Sequence, residues 1–367
     1  MKKFKDIRKS TRKKIFTLGG MLIAFVVLQT LLSLGFISNQ INGWLIPICY
    51  NIILAVSLNL TVGILGELSL GHAGFMCVGA FVGAFVSKYM VTVNPEVNDF
   101  LRIGVAILVG GAVAGIFGLL IGIPVLRLQG DYLAIVTLAF GEIIWNIFNV
   151  MRVALDENGL HFQLGGTGFT DISPDAEQLV KGSLGITKFG KLPKDTGFAI
   201  AFALTFITVI VVLNFIHSRT GRAVKAIRDN QIAAESVGIN IKKYKLIVLV
   251  VSAFFAGIAG VLYSHNSGQA IANVNDYGYI MSINILVFVV LGGMSSTLGS
   301  MIAAIVLTIL PDWLRFLSDY RMLIYAVVLI GMMLFRSNPT LKGFVDMVKK
   351  KIKAFFGGVF KKSSKEA

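Results

Sequence analysis

The side chains that could take part in chemistry lie inside or beside long apolar runs. A carboxylate, imidazole or carboxamide at bilayer depth is costly unless it is paired or faces a wet cavity, so such residues mark solute pathways by default. The chemistry that they offer is hydrogen bonding to a passing polar solute. The residues that we place on a candidate translocation path are Asn51, Asn59, Glu67, Ser69, His72, Glu142 and Asn146.

Two segments carry the most informative of these residues. Glu142 lies halfway along an apolar run and Asn146 follows one helical turn later, which predicts a polar helix face at bilayer depth. An internal hydrogen bond between two helices would account for Glu142 equally well. Residues 63–79 set Glu67 and His72 among glycines, and we expect either a cytoplasmic turn or a discontinuous helix that lines a cavity. For His72 alone, a structural role is favoured over solute binding.

We expect neither a metal or cofactor site nor an enzyme. Cys49 and Cys77 stand alone in apolar runs and are interpreted as small buried residues. A membrane-embedded enzyme would need a dense cluster of His, Asp or Glu, whereas the four histidines are scattered. Residues 185–192 fit the spacing of a phosphate-binding loop, but Leu192 stands where that loop needs a hydroxyl. If ATP drives this protein, another chain hydrolyses it.

The elements that must position the polar residues are transmembrane helices. The chain is 55% hydrophobic and 14% charged, with a mean hydropathy of +0.78, whereas about 25% of residues in soluble domains are charged. A span needs about 20 apolar residues, and this length predicts an all-α polytopic bundle of about ten spans within residues 15–336. The predicted spans are 15–37, 43–63, 69–90, 101–126, 131–151, 197–217, 245–264, 279–294, 298–317 and 320–336.

Charge predicts the topology of these spans. The net charge is +15, and Lys and Arg concentrate in residues 1–14, 218–245 and 337–367, which the positive-inside rule places in the cytosol. The span count agrees with this N-in, C-in arrangement. It leaves residues 152–196 as an external loop, for which we expect little regular structure beyond one short helix. The basic residues lack a nucleic-acid motif, and 337–367 have the pattern of an amphipathic helix on anionic lipid.

The cytosolic loop 218–245 is the most informative polar segment. Arg222, Lys225 and Arg228 recur at helical spacing on one side, opposite the apolar Val224. This spacing predicts a short amphipathic helix against the membrane face of the bundle, ending near a glycine. The alternative is a solvated positive loop that only fixes topology.

Several runs resemble the LivM-type permease of branched-chain amino acid ABC importers. They include SLGHAGFMCVGAF (69–81), RLQGDYLAIVTLAFGEII (127–144), GRAVKAIRDNQIAAESVGIN (221–240) and VLGGMSSTLGS (290–300). The similarity extends from about Asn51 to Phe335, and the wider superfamily includes ribose and nucleoside permeases. The resemblance implies a type II-like ABC importer permease in a bacterial-type inner membrane. Two departures are LGGTGFTDI (164–172), where the family often has T-G-G-T-x-G-L, and the long basic C-terminus.

The resemblance also implies partners. These would be a LivH-type sister permease, two cytosolic ATP-binding cassette subunits and an external substrate-binding protein, which would meet the 152–196 segment. The residues that the resemblance assigns to coupling with the ATPase are Arg222, Lys225, Arg228, Asp229, Ala234, Glu235 and Gly238.

Other functions remain open from the sequence. The solute could be a nucleoside, a sugar, urea or a short amide in place of leucine, isoleucine or valine. A secondary transporter that acts alone is a further alternative. Few intramembrane acids could relay protons for it, and Glu67 and Glu142 are the main candidates.

Overall fold

The fold is seen in a computed structural model. It describes residues 9–314 except 36–37, 95, 127, 129, 157–158, 166–176, 191, 193–195 and 267–270, and beyond 314 only 320, 323, 326, 327, 330 and 331. Residues 1–308 form one compact unit and residues 309–367 a second. Outside the described residues lie the amphipathic C-terminal segment 337–367 and most of the predicted span 320–336.

Helices, most of them long and apolar, dominate the described residues. They are α1 (Lys9–Ser33), α2 (Asn39–Asn59), α3 (His72–Val93), α4 (Asp99–Val125), α5 (Asp131–Val150), α6 (Gly197–His217), α7 (Arg219–Asp229), α8 (Gln231–Ser236), α9 (Ile241–Asn266), α10 (Tyr279–Gly292) and α11 (Thr297–Trp313). A π-helix, Leu60–Leu65, continues α2, and a 3₁₀ turn, Val274–Tyr277, precedes α10. This architecture confirms the prediction of a helical membrane bundle.

Seven helical segments among the described residues are long and apolar enough to cross a membrane, where ten were expected. They are Gln40–Leu65, His72–Val93, Asp99–Val125, Tyr132–Val150, Gly197–His217, Ile241–Asn266 and Val274–Gly292. The first and ninth predicted spans are also helical, but their described apolar parts, Thr17–Ser33 and Thr297–Trp313, are shorter.

Glycines pack α3, α4 and α9 against one another. A β-carbon on Gly79 of α3 would overlap the backbone of Gly257 on α9, and one on Gly257 would overlap the side chain of Ala114 on α4. Gly260 lies just as closely against the carbonyl of Met76. Because lipid is as apolar as the side chains, this close approach stabilises the helix contacts in place of the hydrophobic effect.

The segment 152–196 has more regular structure than predicted. Strands β1 (Met151–Asp156), β2 (Gly159–Leu164) and β3 (Glu177–Lys181) form an antiparallel sheet in the order β2-β1-β3, and β4 (Ile186–Thr187) pairs with β5 (Ile271–Ala272). The prediction of one short helix at most is therefore wrong, and the chain is not wholly α-helical. Val153 and Val180 are buried partners across β1 and β3, so a small apolar cluster stabilises the sheet.

The connections between helices lie in two groups, one at each end of the helices. At one end, which we call the basic end, Arg228 of α7 contacts Gly63, and Lys245 of α9 pairs with Glu67. At the other end, which we call the sheet end, Lys88 near the end of α3 donates to the carbonyl of Gln178 on β3 at 2.8 Å. The helices between them therefore run back and forth, as consecutive spans of one chain must.

Candidate translocation path and coupling surface

The segment that links α2 to α3 at the basic end is irregular, and we call residues 60–71 the joint. The π-helix ends at Gly66, whose φ of +85° is readily adopted only without a side chain. The amide of Glu67 then donates to the carbonyl of Thr61 at 3.2 Å. Single π-helical turns inside membrane helices occur often at functional sites. The expected alternatives were a turn and a discontinuous helix, and the structure combines a π-helical end with a short non-helical linker.

A glycine also fixes the start of the joint. The side-chain oxygen of Asn59 accepts a hydrogen bond from the amide of Ser295 at 3.2 Å, in the turn between α10 and α11. A β-carbon on Gly63 would overlap both of these atoms. The joint is therefore tied to the α10–α11 turn, and Ser295 itself has a φ of +70°.

His72 begins α3 and is buried with a partner. Its Nε2 lies 2.9 Å from the hydroxyl oxygen of Ser57 on α2. The carbonyl of Ser57 accepts from the hydroxyl of Ser252 on α9 at 2.7 Å, so three helices share this small network. The next amide, that of Ala73, donates to the hydroxyl of Ser282 on α10 at 3.0 Å. This geometry fits the structural role that the sequence favoured for His72.

Glu67 forms an ion pair that the sequence did not predict. Its carboxylate accepts from the ammonium group of Lys245, in the first turns of α9. The Lys245 side chain is 5% exposed and the Glu67 side chain 16%, so both charges are largely withdrawn from water. Arg228 of α7 donates to the carbonyl of Gly63 at 3.2 Å, and its aliphatic stem lies against Gly66. The side chains of Lys245 and Arg228 therefore hold the joint at the basic end.

Asn51 and Ser69 lie apart from that pair. Asn51 donates to the hydroxyl of Thr308 at 3.0 Å, and its own side-chain oxygen is buried without a partner among the described residues. Ser69 is buried in the joint, beside Leu70, whose amide donates to the hydroxyl of Thr137 on α5 at 3.1 Å.

Glu142 and Asn146 lie on α5, which is the least buried of the seven span candidates. A Glu142 carboxylate oxygen accepts from the amide of Tyr279 at 3.0 Å, which caps the start of α10. Asn146 is exposed, and its amide nitrogen donates to the carbonyl of Glu142 at 2.9 Å. A cleft of about 380 Å³ lies between the two helices, lined by Glu142, Trp145, Asn275, Asp276, Gly278, Tyr279, Ile280, Met281 and Asn284.

The seven predicted path residues lie on different elements, although α5 packs against the end of the joint, where Gly141 contacts Gly71. Asn59, Glu67, Ser69 and His72 lie in or beside the joint, while Glu142 and Asn146 lie together on α5. Sequence reasoning missed the polar residues that line the other side of the α5 cleft, such as Asp276 and Asn284. Their partners come from distant parts of the chain, so spacing alone gave no signal.

The loop at the basic end begins with the amphipathic helix that its pattern predicts. The Ser218 hydroxyl accepts from the Gly221 amide at 3.1 Å and caps α7. Val224 and Ile227 are buried against the bundle, whereas Arg222 faces solvent. Its guanidinium donates to the carbonyl of His217 at 3.2 Å.

The helix α8 that follows presents apolar side chains outward. Ile232 is 82% exposed and Val237 is 75% exposed, although Ala234 between them is buried. Glu235 is exposed, and Gly238 ends the helix with a φ of +83°. We call α7, α8 and the residues to Gly238 the coupling surface. Ile232 and Val237 were not among the predicted coupling residues. Two apolar residues in an otherwise polar, basic loop were nevertheless a usable signal of a contact surface.

Comparison with known proteins decides what kind of chain this is. The family described as "Branched-chain amino acid transport system / permease component" matches residues 40–335. The chain belongs to this permease family. The match contains the joint, the α5 cleft and the coupling surface, so all three are features of its permease region.

Individual relatives agree with the family. The permease protein LivM of the high-affinity branched-chain amino acid transport system of Escherichia coli is 30% identical over 82% of this chain and 69% of its own length. The fructose import permease protein FruG of Bifidobacterium longum is 26% identical over 89% of this chain and 90% of its own. LivH of Salmonella typhimurium is 24% identical over 75% and 84%. No solved structure matches the chain.

Proposed function

We propose that this permease is one membrane subunit of an ATP-driven importer of branched-chain amino acids. An external binding protein delivers the solute, separate ATPase subunits supply the energy, and a LivH-type permease completes the membrane part. The family match and the similarity to LivM support the class and the solute. The similarity to LivH supports a sister subunit of related fold.

The coupling surface is the observation that carries this proposal. It combines basic side chains with two exposed apolar ones, Ile232 of α8 and Val237 just after it, and the preceding helix α7 is anchored by buried Val224 and Ile227. Exposed apolar groups with a charged surround are typical of protein interfaces. A motor that docks there would push on a rigidly held element, and Arg222, Lys225, Asp229 and Glu235 would provide the polar rim.

The test is a reconstituted complex that carries Ile232→Ser. We expect ATPase subunits to co-purify about tenfold less well, because an interface anchor is typically worth about 1–2 kcal/mol or more. Leu184→Ser is the matched control, since Leu184 is 68% exposed but lies at the sheet end. If both variants co-purify as much of the ATPase subunits as the wild type does, the coupling surface is not the docking site.

The exposed face of α5 supports a paired permease. Asn146 would be poorly placed against lipid, so we infer that this face meets the sister subunit and that Glu142 and the cleft beside it line the path. The amide and carboxylate groups of the cleft suit the ammonium group of an amino acid. This arrangement keeps the N-in, C-in topology of about ten spans, with the basic end in the cytosol.

Uptake into proteoliposomes tests the solute. We expect ATP-dependent uptake of leucine that isoleucine and valine compete with. The similarity to FruG makes fructose the alternative. Uptake of fructose but not leucine would show that the proposed solute is wrong. Ion-driven uptake by the single chain without ATPase subunits would show that the proposed ATP-driven mechanism is wrong.

A further inference from the structure

The joint is held by one charged residue of the coupling surface and one of the helix that follows it. Arg228 belongs to α7, and Lys245 lies in the second turn of α9. Among the described residues, the salt bridge of Glu67 is made to Lys245, and Arg228 is the side chain that reaches the Gly63 carbonyl. A displacement of the α7–α9 segment would therefore pull on the joint at two points.

The position of Lys245 is unfavourable without its partner. A lysine near a helix N-terminus opposes the helix dipole, and a largely buried ammonium group loses its hydration. Both costs are offset here by the carboxylate of Glu67, which comes from a segment 178 residues away in the chain. The amide of Glu67 also donates to the carbonyl of Thr61, so the ion pair joins Lys245 to a residue whose backbone is already anchored in the joint.

The joint also connects onward to the membrane helices. Its first end is tied through Asn59 to the amide of Ser295, in the α10–α11 turn. Its last residues precede His72, and the amide of the next residue, Ala73 of α3, donates to the hydroxyl of Ser282 on α10. The α10 helix in turn forms one wall of the cleft that contains Glu142. A continuous chain of contacts thus runs from the coupling surface, through the joint, to the cleft.

We propose that the Glu67–Lys245 ion pair, together with the Arg228 contact to Gly63, transmits movement of the coupling surface to α10 and the cleft. Lys245 and Glu67 are then positioning residues for transport, and Glu67 does not bind the solute. This inference rests on the proposed importer function and adds the route by which ATP hydrolysis reaches the path.

The experiment exchanges the two charges in the complete reconstituted complex. We measure leucine uptake and ATP hydrolysis for the wild type, Glu67→Lys, Lys245→Glu and the double exchange, and report uptake per ATP. Each single variant is expected to lower this ratio about tenfold, within the range of coupling between sites, and the double exchange is expected to recover it to within about twofold. The KM for leucine is expected to stay unchanged in all of them.

Lys243→Glu is the matched control, because Lys243 is exposed on the same helix and the charge change is identical. If the complex with reversed charges fails to assemble, the same measurements are made with Lys245→Met and Lys245→Arg. The proposal requires Arg to retain the ratio and Met to lose it. Equal ratios for Met and Arg, or an altered KM in the Glu67 variants, would overturn the transmission role. A wild-type complex without ATP-driven uptake would instead refute the proposed function.

Discussion

Single buried polar residues in this permease are held by partners from other helices. His72 is buried at the start of α3, and the hydroxyl of Ser57 is its hydrogen-bond partner at 2.9 Å. A buried group that loses its partner costs more than the bond itself contributed, because it cannot return to water. The Ser57 side chain therefore stabilises the contact between α2 and α3.

Substitution of Ser57 tests this role. Ser57→Ala is expected to lower the free energy of unfolding by about 1–3 kcal/mol, since it leaves the His72 imidazole unsatisfied. Thermal unfolding of the purified protein in detergent measures the change. Ser236→Ala is the control: its hydroxyl is exposed and bonds only to its own helix, so we expect a change within about 0.5 kcal/mol. A control that unfolds as early as Ser57→Ala would argue against the His72 contact as the cause.

The sequence predicted which polar residues need a partner, because burying an unpaired polar group costs free energy. Charged and amide groups inside apolar runs had to find partners, and Glu142 and His72 did so. The identity of the partner was not predictable, because Lys245 is brought to Glu67 by the packing of α9 and not by any spacing in the chain. Glu67 was consequently placed on the path, whereas its observed contact is with the basic end.

At the level of helices, close packing depends on the absence of side chains. Gly257 of α9 lies against Gly79 and against α4, where a β-carbon would overlap existing atoms. Overpacking of this kind forces the helices apart and costs about 1–3 kcal/mol, occasionally more. The three helices α3, α4 and α9 therefore form the tightest part of the bundle.

We expect Gly257→Val to destabilise the permease by at least that amount and to lower its yield of folded protein from membranes. Gly104→Val is the matched control, because a β-carbon at Gly104 of α4 meets no other atom within 4 Å. Size-exclusion chromatography after heating distinguishes the two variants. Similar loss of folded protein in both would mean that valine itself, and not the close contact, is responsible.

The helices were predicted better than the strands, for a physical reason. Apolar length sets a membrane helix, and the predicted span 197–217 has the bounds of α6. The hairpin of β1 and β2 was missed. Gly159 begins β2 and pairs with Asp156 of β1, and the residues from Leu160 to Leu164 alternate between apolar and polar, which is a usable strand signal.

At the level of the whole molecule, the two ends must face opposite sides of the membrane. Cys49 and Cys77 are both buried, so neither is expected to react with a membrane-impermeant maleimide. We expect Leu184→Cys at the sheet end to be labelled in cells whose permease-containing membrane is sealed but accessible to the reagent from outside. Lys243→Cys at the basic end should be labelled only after the membrane is opened. The reverse pattern would invert the proposed topology, and labelling of both residues in intact cells would contradict the alternation of the helices.

The sparse burial of α5 has a consequence for the life of the protein in a cell. If a sister subunit covers this face, as we propose, a newly made chain that has not yet met it exposes Asn146 to lipid, on a helix that few neighbours cover. We expect such a chain to be degraded, and the accumulated amount of this permease would then follow the amount of the scarcer membrane subunit.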